Sequence, residues 1–405
     1  MGGRPSRVRV TGPLEQYSCG FRRELARQGY TSFSASNQLQ LMAHASRWLV
    51  SRRLGVGELT STHVEEFLAA RRAEGYTLWL STKAMVPLVR YLAGLGVIPA
   101  PAAVVVVTPV DVLLDRYRVF LLEERGLTVG TVAGYMWVAR LFFSTRSPES
   151  EVAHVLAGLS AREVSDFVLG ECTTRTVGSA KFVVCGLRSL LRYLYVAGRI
   201  ERPLDSAVPT VAGWRQATLP KAFGRPEVDR LLASCDRRTT FGRRDFAVLT
   251  LLARLGLRAG EVAGLELADI DWRAGEVVIR GKGRRVERLP LPVDVGDAIV
   301  GWLCRGRPDG ECTKIITRVR APHVGLTSSG VSGIVWAACT RAGLPEINAH
   351  RLRHTAATEM LRAGAGLVDV GQVLRHASVL TTAIYAKVDR ARLRSLALPW
   401  PGRQS

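Results

Sequence analysis

A tyrosine near the end of the chain, Tyr385, stands nine residues after His376 in LRHASVLTTAIYAKV, and three further motifs precede it. They are LGLRAGEVAGL with Arg258 and Glu261, RGKGRRVERLPL with Lys282, and HRLRHTAATEML with His350 and Arg353. Each is weak alone: an H-x-x-R pair is common on helix surfaces, and a tyrosine in an apolar segment usually packs in a core. Together they supply what is needed to cleave a phosphodiester with a side-chain hydroxyl: a nucleophile, charge stabilisation at the non-bridging oxygens, and a proton donor for the departing sugar oxygen. Arg258 and Arg353 offer fixed bidentate donors to phosphate. Lys282, between Gly281 and Gly283, can reach from a hairpin tip as an acid, while His350 and His376 can donate hydrogen bonds or transfer protons. A tyrosyl phosphate ester keeps the energy of the broken bond, so rejoining needs no ATP. No carboxylate cluster suited to a metal accompanies the motifs, and no cofactor is expected.

The elements that must carry these residues can be read from periodicity and breakers. An apolar helix over Asp245 to Leu255 ends at Gly256, just before Arg258. Glu276 to Arg280 and Arg285 to Leu291 read as two short strands of a β-hairpin with Lys282 at its tip. Helical patterns follow at Val331 to Ala342, His354 to Ala363, Val368 to Leu374 and Thr381 to Leu396. Upstream, Val112 to Glu124 sets Leu113, Leu114, Tyr117, Phe120 and Leu121 on one face, with Gly126 as a stop, and nothing before residue 217 suggests a sheet. The fold class expected is therefore mainly α with a small antiparallel β-sheet.

Pro-containing stretches at Pro99 to Pro109 and Pro203 to Pro220 read as linkers and divide the chain into 1–100, 108–203 and 218–405. The first two segments share a pattern. VRYLAGLGVI (Val89 to Ile98) lies over LRYLYVAGRI (Leu191 to Ile200), and LTSTHVEEF (Leu59 to Phe67) over LSAREVSDF (Leu159 to Phe167), at offsets of 102 and 100. Thr60 and Ser160 are candidate N-caps, and only the second copy has the glutamate, Glu163, that completes a capping box. Two segments matching in the same order suggest an internal duplication.

The 405 residues carry 56 Lys+Arg against 35 Asp+Glu, a formal charge of +21. Net charges of +7, +2 and +12 for residues 1–100, 101–220 and 221–405 put the excess at the two ends. A polyanion is the partner this balance suggests. The seven cysteines (Cys19, Cys172, Cys185, Cys235, Cys304, Cys312 and Cys339) form no C-x-x-C pair, which argues against a zinc site or a disulfide framework. No signal core opens the sequence and no apolar run approaches the roughly 20 residues of a membrane span, so a cytoplasmic protein with reduced thiols is expected.

On these motifs, the segment from about Phe223 to Val388 resembles the catalytic domain of the tyrosine recombinases, the family of phage integrases and bacterial dimer-resolution recombinases. The resemblance assigns Arg258 as the first catalytic arginine, Lys282 as the hairpin lysine, His350 and Arg353 as the H-x-x-R pair, His376 as the second histidine, and Tyr385 as the nucleophile. Glu261 fits the acidic position that supports the first arginine, and His354 is read as packing or orienting its helix rather than acting on substrate. The resemblance further implies a helical core-binding domain, matched here by about Thr108 to Arg202, that closes with the catalytic domain as a clamp around double-stranded DNA. It implies a 3′-phosphotyrosine intermediate and a tetramer of protomers on two DNA sites, and it allows sister recombinases as partners. Residues 1–100 exceed the family's compact plan. An integrase or transposase of a mobile element fits best. A chromosome-dimer resolvase, a type IB topoisomerase and a non-catalytic DNA-binding relative are the alternatives, the last disfavoured by the intact catalytic set.

Overall fold

The computed structural model describes residues 8–98, 108–145, 156, 158–212, 222–281, 286–375, 382 and 385. Residues 1–101 and 218–405 group into one compact unit, and residues 102–217 form a second.

The second unit is a helical cluster. Its helices are α5 (Pro109–Glu123), α6 (Val129–Ser144), α7 (Ala161–Thr174) and α8 (Val177–Val196). Thr108, Thr128, Ser160 and Thr176 each accept a backbone N–H of the first turn, so every one of these helices starts at a hydroxyl N-cap. Leu113, Leu114, Tyr117 and Leu121 face the core from α5 at the expected spacing, with Phe120 only partly buried beside them. The segment after Pro203 is less of a linker than its composition suggests. Leu204 and Val208 are buried in this same core, and Arg188 and Ser165 donate to the carbonyls of Val208 and Ala207.

In the first unit, α1 (Ser18–Arg27), α2 (Ser32–Arg52), α3 (Ser61–Ala73) and α4 (Thr82–Gly94) enclose a core that includes Phe21, Leu39, Met42, Leu49, Phe67 and Leu92. At the start of α3, His63 stands where Glu163 stands in α7. Its amide donates to Thr60 Oγ1, and its Nδ1 lies 2.6 Å from the Glu58 carbonyl. A contact that short makes Nδ1 the donor, so the imidazole cannot also accept the Thr60 N–H in the way that Glu163 accepts that of Ser160.

The remainder of this unit holds α9 (Arg225–Ala233), α10 (Thr240–Leu255), α11 (Ala259–Gly264), β1 (Ile270–Asp271), β2 (Glu276–Arg280), β3 (Val286–Pro290), α12 (Val293–Arg305), α13 (Ser328–Ala342), α14 (Ala349–Arg362) and α15 (Leu367–Val373). The three strands form an antiparallel sheet in the order β1-β2-β3, with Val277 opposite Leu289 and Arg280 opposite Val286. The hairpin expected from the sequence is thus present, while its tip with Lys282 lies outside the described residues. Helix α10 is the centre of the core: Val248, Leu249, Leu251, Leu252 and Leu255 are all buried with Val277, Ile279, Trp302, Ile316 and Val335. The Trp302 indole N–H donates to the Ile315 carbonyl, which satisfies its polar edge inside the core.

Helix α14 begins at Ala349, five residues before the expected start, because Asn348 caps it by accepting the Arg351 amide. This puts His350, Arg353 and His354 on one helix. The expected last helix, Thr381 to Leu396, lies outside the described residues except for Thr382 and Tyr385. No helix among the described residues is long and apolar enough to cross a membrane.

Candidate active site

The site is built where α10 ends. Gly256 leaves the helix in the left-handed region at φ +59°, and a Cβ there would come within 2.6 Å of Leu374. Glycine meets both constraints, and it lets the turn deliver Arg258 to the N-cap of α11. The Glu261 carboxylate reaches back to this cap. Its Oε2 accepts the Arg258 amide at 2.8 Å and its Oε1 accepts the Arg258 guanidinium at 2.6 Å. The Arg258 side chain stays 40% exposed, so its remaining donors can meet a ligand.

Arg353 projects from α14 and is buried, with only 1% of its surface exposed. Its guanidinium donates to the Gly256 carbonyl at 2.6 Å and to the Leu374 carbonyl. Burial, reinforced by the neighbouring Arg258 and Arg375 cations, brings its pKa down to about 10, which leaves it charged at neutral pH. Arg375, directly after Leu374, donates from Nη2 to Glu261 Oε2 at 2.8 Å, and its own carbonyl lies 3.4 Å from Arg258 Nη2. Among the described residues, then, three guanidiniums converge here with one carboxylate between them. Burial works against ionisation of Glu261, but the Arg258 amide and the Arg375 and Arg258 guanidiniums outweigh it and hold its pKa below the usual carboxylate range. The uncompensated positive charge favours an anion.

Tyr385 is 1% exposed and packs with Ala357, Leu361, Val370 and Leu374. Burial pushes its phenol up to about 12, partly offset by Arg353. Its hydroxyl lies 2.7 Å from His354 Nδ1. The His354 ring in turn meets the His350 ring edge to face, with centroids 4.5 Å apart. Burial, then His350 and Arg353, depress the His354 pKa to about 4, so a neutral imidazole faces a neutral phenol near pH 7. His350 is also held below its ordinary value, by desolvation first and then by Arg353 and Arg258.

Of the residues singled out from sequence, Arg258, Glu261, His350, Arg353 and Tyr385 are described, and they lie on connected elements. Lys282 and His376 lie outside the described residues. Two residues carry more than the sequence reading gave them. His354 contacts the Tyr385 hydroxyl, whereas the sequence alone points only to packing or orienting of its helix; its position one helical turn after His350 is the available clue. Arg375 was missed, because nothing in LRH marks a buried ion pair with a residue more than a hundred positions upstream.

Comparison with known proteins identifies the family. Residues 222–392 match the phage integrase family. The integrase/recombinase y4rA of Sinorhizobium fredii is 41% identical over 401 residues, covering 96% of this chain and 95% of that protein. Tyrosine recombinase XerD of Listeria monocytogenes is 30% identical over 292 residues, 70% of this chain and 96% of its own length. The crystal structure of XerH site-specific recombinase bound to palindromic difH substrate shares the fold at a TM-score of 0.52 and 16% identity, covering 98% of both chains. With its motifs in order and a relative matched over nearly its full length, this chain belongs to the phage integrase family and is a tyrosine recombinase.

Proposed function

We propose that the chain is a site-specific recombinase of the integrase or transposase type that cleaves and rejoins double-stranded DNA through a 3′-phosphotyrosine on Tyr385. The observation that carries this reading is the convergence of Arg258 and Arg353 on the turn at Leu374 and Arg375, with Tyr385 packed against Leu374. Arg258 and Arg353 would bind the non-bridging oxygens of the scissile phosphate as charge accumulates in the transition state. The Tyr385 oxygen would attack phosphorus as its proton leaves, and the bond to the 5′ oxygen would break. Lys282 would protonate that oxygen, with His350 and His376 donating hydrogen bonds to the phosphate or relaying protons. Glu261 orients Arg258. Rejoining runs the same steps in reverse from an incoming 5′ hydroxyl.

In the same reading, residues 1–100, 108–203 and 218–405 act as separate functional segments: an added helical DNA-contacting module, a core-binding domain and the catalytic domain. The net charge of +7 over residues 1–100 supports the first assignment. Exchange between duplexes requires four strand cleavages, which fits a tetramer on two DNA sites, with sister recombinases able to supply some of its protomers. Replacing Arg258 or Arg353 with alanine tests the site. Each should depress single-turnover cleavage by about 2.7–4 kcal/mol, the usual worth of one preorganised donor, while binding is largely retained. Equal losses in binding and cleavage would reduce both arginines to general DNA contacts.

A further inference from the structure

Arg375 adopts φ +55°, the left-handed region that favours glycine, yet its side chain is almost fully buried. An arginine here carries backbone strain that glycine would avoid. What the side chain gains is specific. Nη2 donates to Glu261 Oε2 at 2.8 Å, with the two side chains 4% and 5% exposed, and Nη1 donates to the Val373 carbonyl at the end of α15 at 3.0 Å. The backbone of the same turn receives both site arginines, Arg353 at the Leu374 carbonyl and Arg258 at the Arg375 carbonyl. One end of Glu261 thus faces the Arg258 guanidinium while the other is anchored by Arg375 and the Arg258 amide.

We propose that Arg375 is a positioning residue: by anchoring Glu261 and the turn after α15, it fixes the direction in which Arg258 presents its guanidinium to the scissile phosphate. The inference rests on the reading of Arg258 as a phosphate-binding residue. Without Arg375, Glu261 loses its buried counter-cation and the Arg375 carbonyl is no longer tied to it. Arg258 keeps its charge and loses its fixed orientation. DNA affinity, which sums many phosphate contacts, changes little, while an interaction that must be aligned in the transition state suffers.

The test uses the full chain and a nicked DNA substrate that traps the covalent product, read as single-turnover cleavage beside DNA affinity. Arg375→Gly removes the guanidinium while suiting the backbone conformation. It should bind DNA as the parent does and cleave about 100-fold more slowly, the order of loss that follows a small misplacement of a reacting group. Arg375→Lys should recover part of that loss. A substrate with a methylphosphonate at the scissile position carries no charge for Arg258 to neutralise, so the defects of Arg258→Ala and Arg375→Gly should shrink together on it. In the Arg258→Ala background, Arg375→Gly should add little.

Cleavage by Arg375→Gly at the parental rate would overturn the proposal, as would a defect equal on both substrates and additive with Arg258→Ala. If thermal unfolding shows Arg375→Gly to be unfolded, Arg375→Lys is judged by the same criteria, since it retains charge but cannot span Glu261 and Val373 as the guanidinium does. Normal cleavage by Arg258→Ala would instead overturn the site reading itself. An inactive Arg258→Ala beside a fully active Arg375→Gly would remove only the role given to Arg375.

Discussion

Replacing Glu261 with leucine would strip the carboxylate from between Arg258 and Arg375. The two halves of this arrangement are unequal. The Arg258 guanidinium is 40% exposed, so water screens it and its half of the pair contributes only about 0.2–1 kcal/mol. The Arg375 side chain is 4% exposed and would be left as a buried cation without a counter-charge, a change that typically costs about 3–5 kcal/mol. Glu261→Leu should therefore destabilise its unit by about 3–5 kcal/mol, dominated by Arg375. Glu261→Gln keeps an acceptor for the Arg258 amide and should lose less, about 1.5–3 kcal/mol, the range for hydrogen bonds to charged groups. The sign with pH follows from the depressed Glu261 pKa. Its contribution is fully present above the unfolded carboxyl value and is lost as pH falls through the lower folded value. The gap between wild type and Glu261→Gln should accordingly narrow in acid. Urea unfolding followed by circular dichroism, near neutral pH and again in acid, reads both effects. A Glu261→Leu variant as stable as wild type would refute the reasoning, because it would mean that Arg375 never depended on this partner.

Two further outcomes follow. Lys282→Ala should be rescued by a substrate with sulfur at the 5′ bridging position, a leaving group that needs little protonation, while Arg258→Ala should not; equal rescue would leave Lys282 with no special part in protonation. Because His354 is depressed to about 4 in the fold, the unfolded chain binds its proton first, so stability contributed by this group is complete above the ordinary histidine value and declines as pH falls toward 4. Titrating unfolding against pH in wild type and His354→Phe checks this, and parallel curves would assign the acid sensitivity to other groups.

Much of this architecture was legible in the sequence because local signals agreed with the fold. The apolar spacing of α5 and α10, the hydroxyl caps, Gly256 and the two hairpin strands each announce themselves within a few residues. Where the reading fell short, the cause was long-range or polar. The apolar pattern starts α14 too late because its first turns bury Arg353, and a buried cation looks like a solvent-facing residue to any apolar count. The Leu204 to Val208 segment looked like linker because its prolines and polar residues hide the two side chains that dock on the core. His354 could not be tied to Tyr385, 31 residues away, by spacing alone. Nor does a left-handed backbone at Arg375 leave a mark when arginine occupies it in place of glycine.

Covalent capture by Tyr385 is the measurement closest to the central claim. Incubated with nicked DNA carrying its site, the wild-type chain should accumulate an adduct that survives denaturation and maps to Tyr385 through a 3′ phosphate. Tyr385→Phe should bind the same DNA and yield none. An adduct that persists in Tyr385→Phe, or one that maps to another residue in the wild type, would contradict the account.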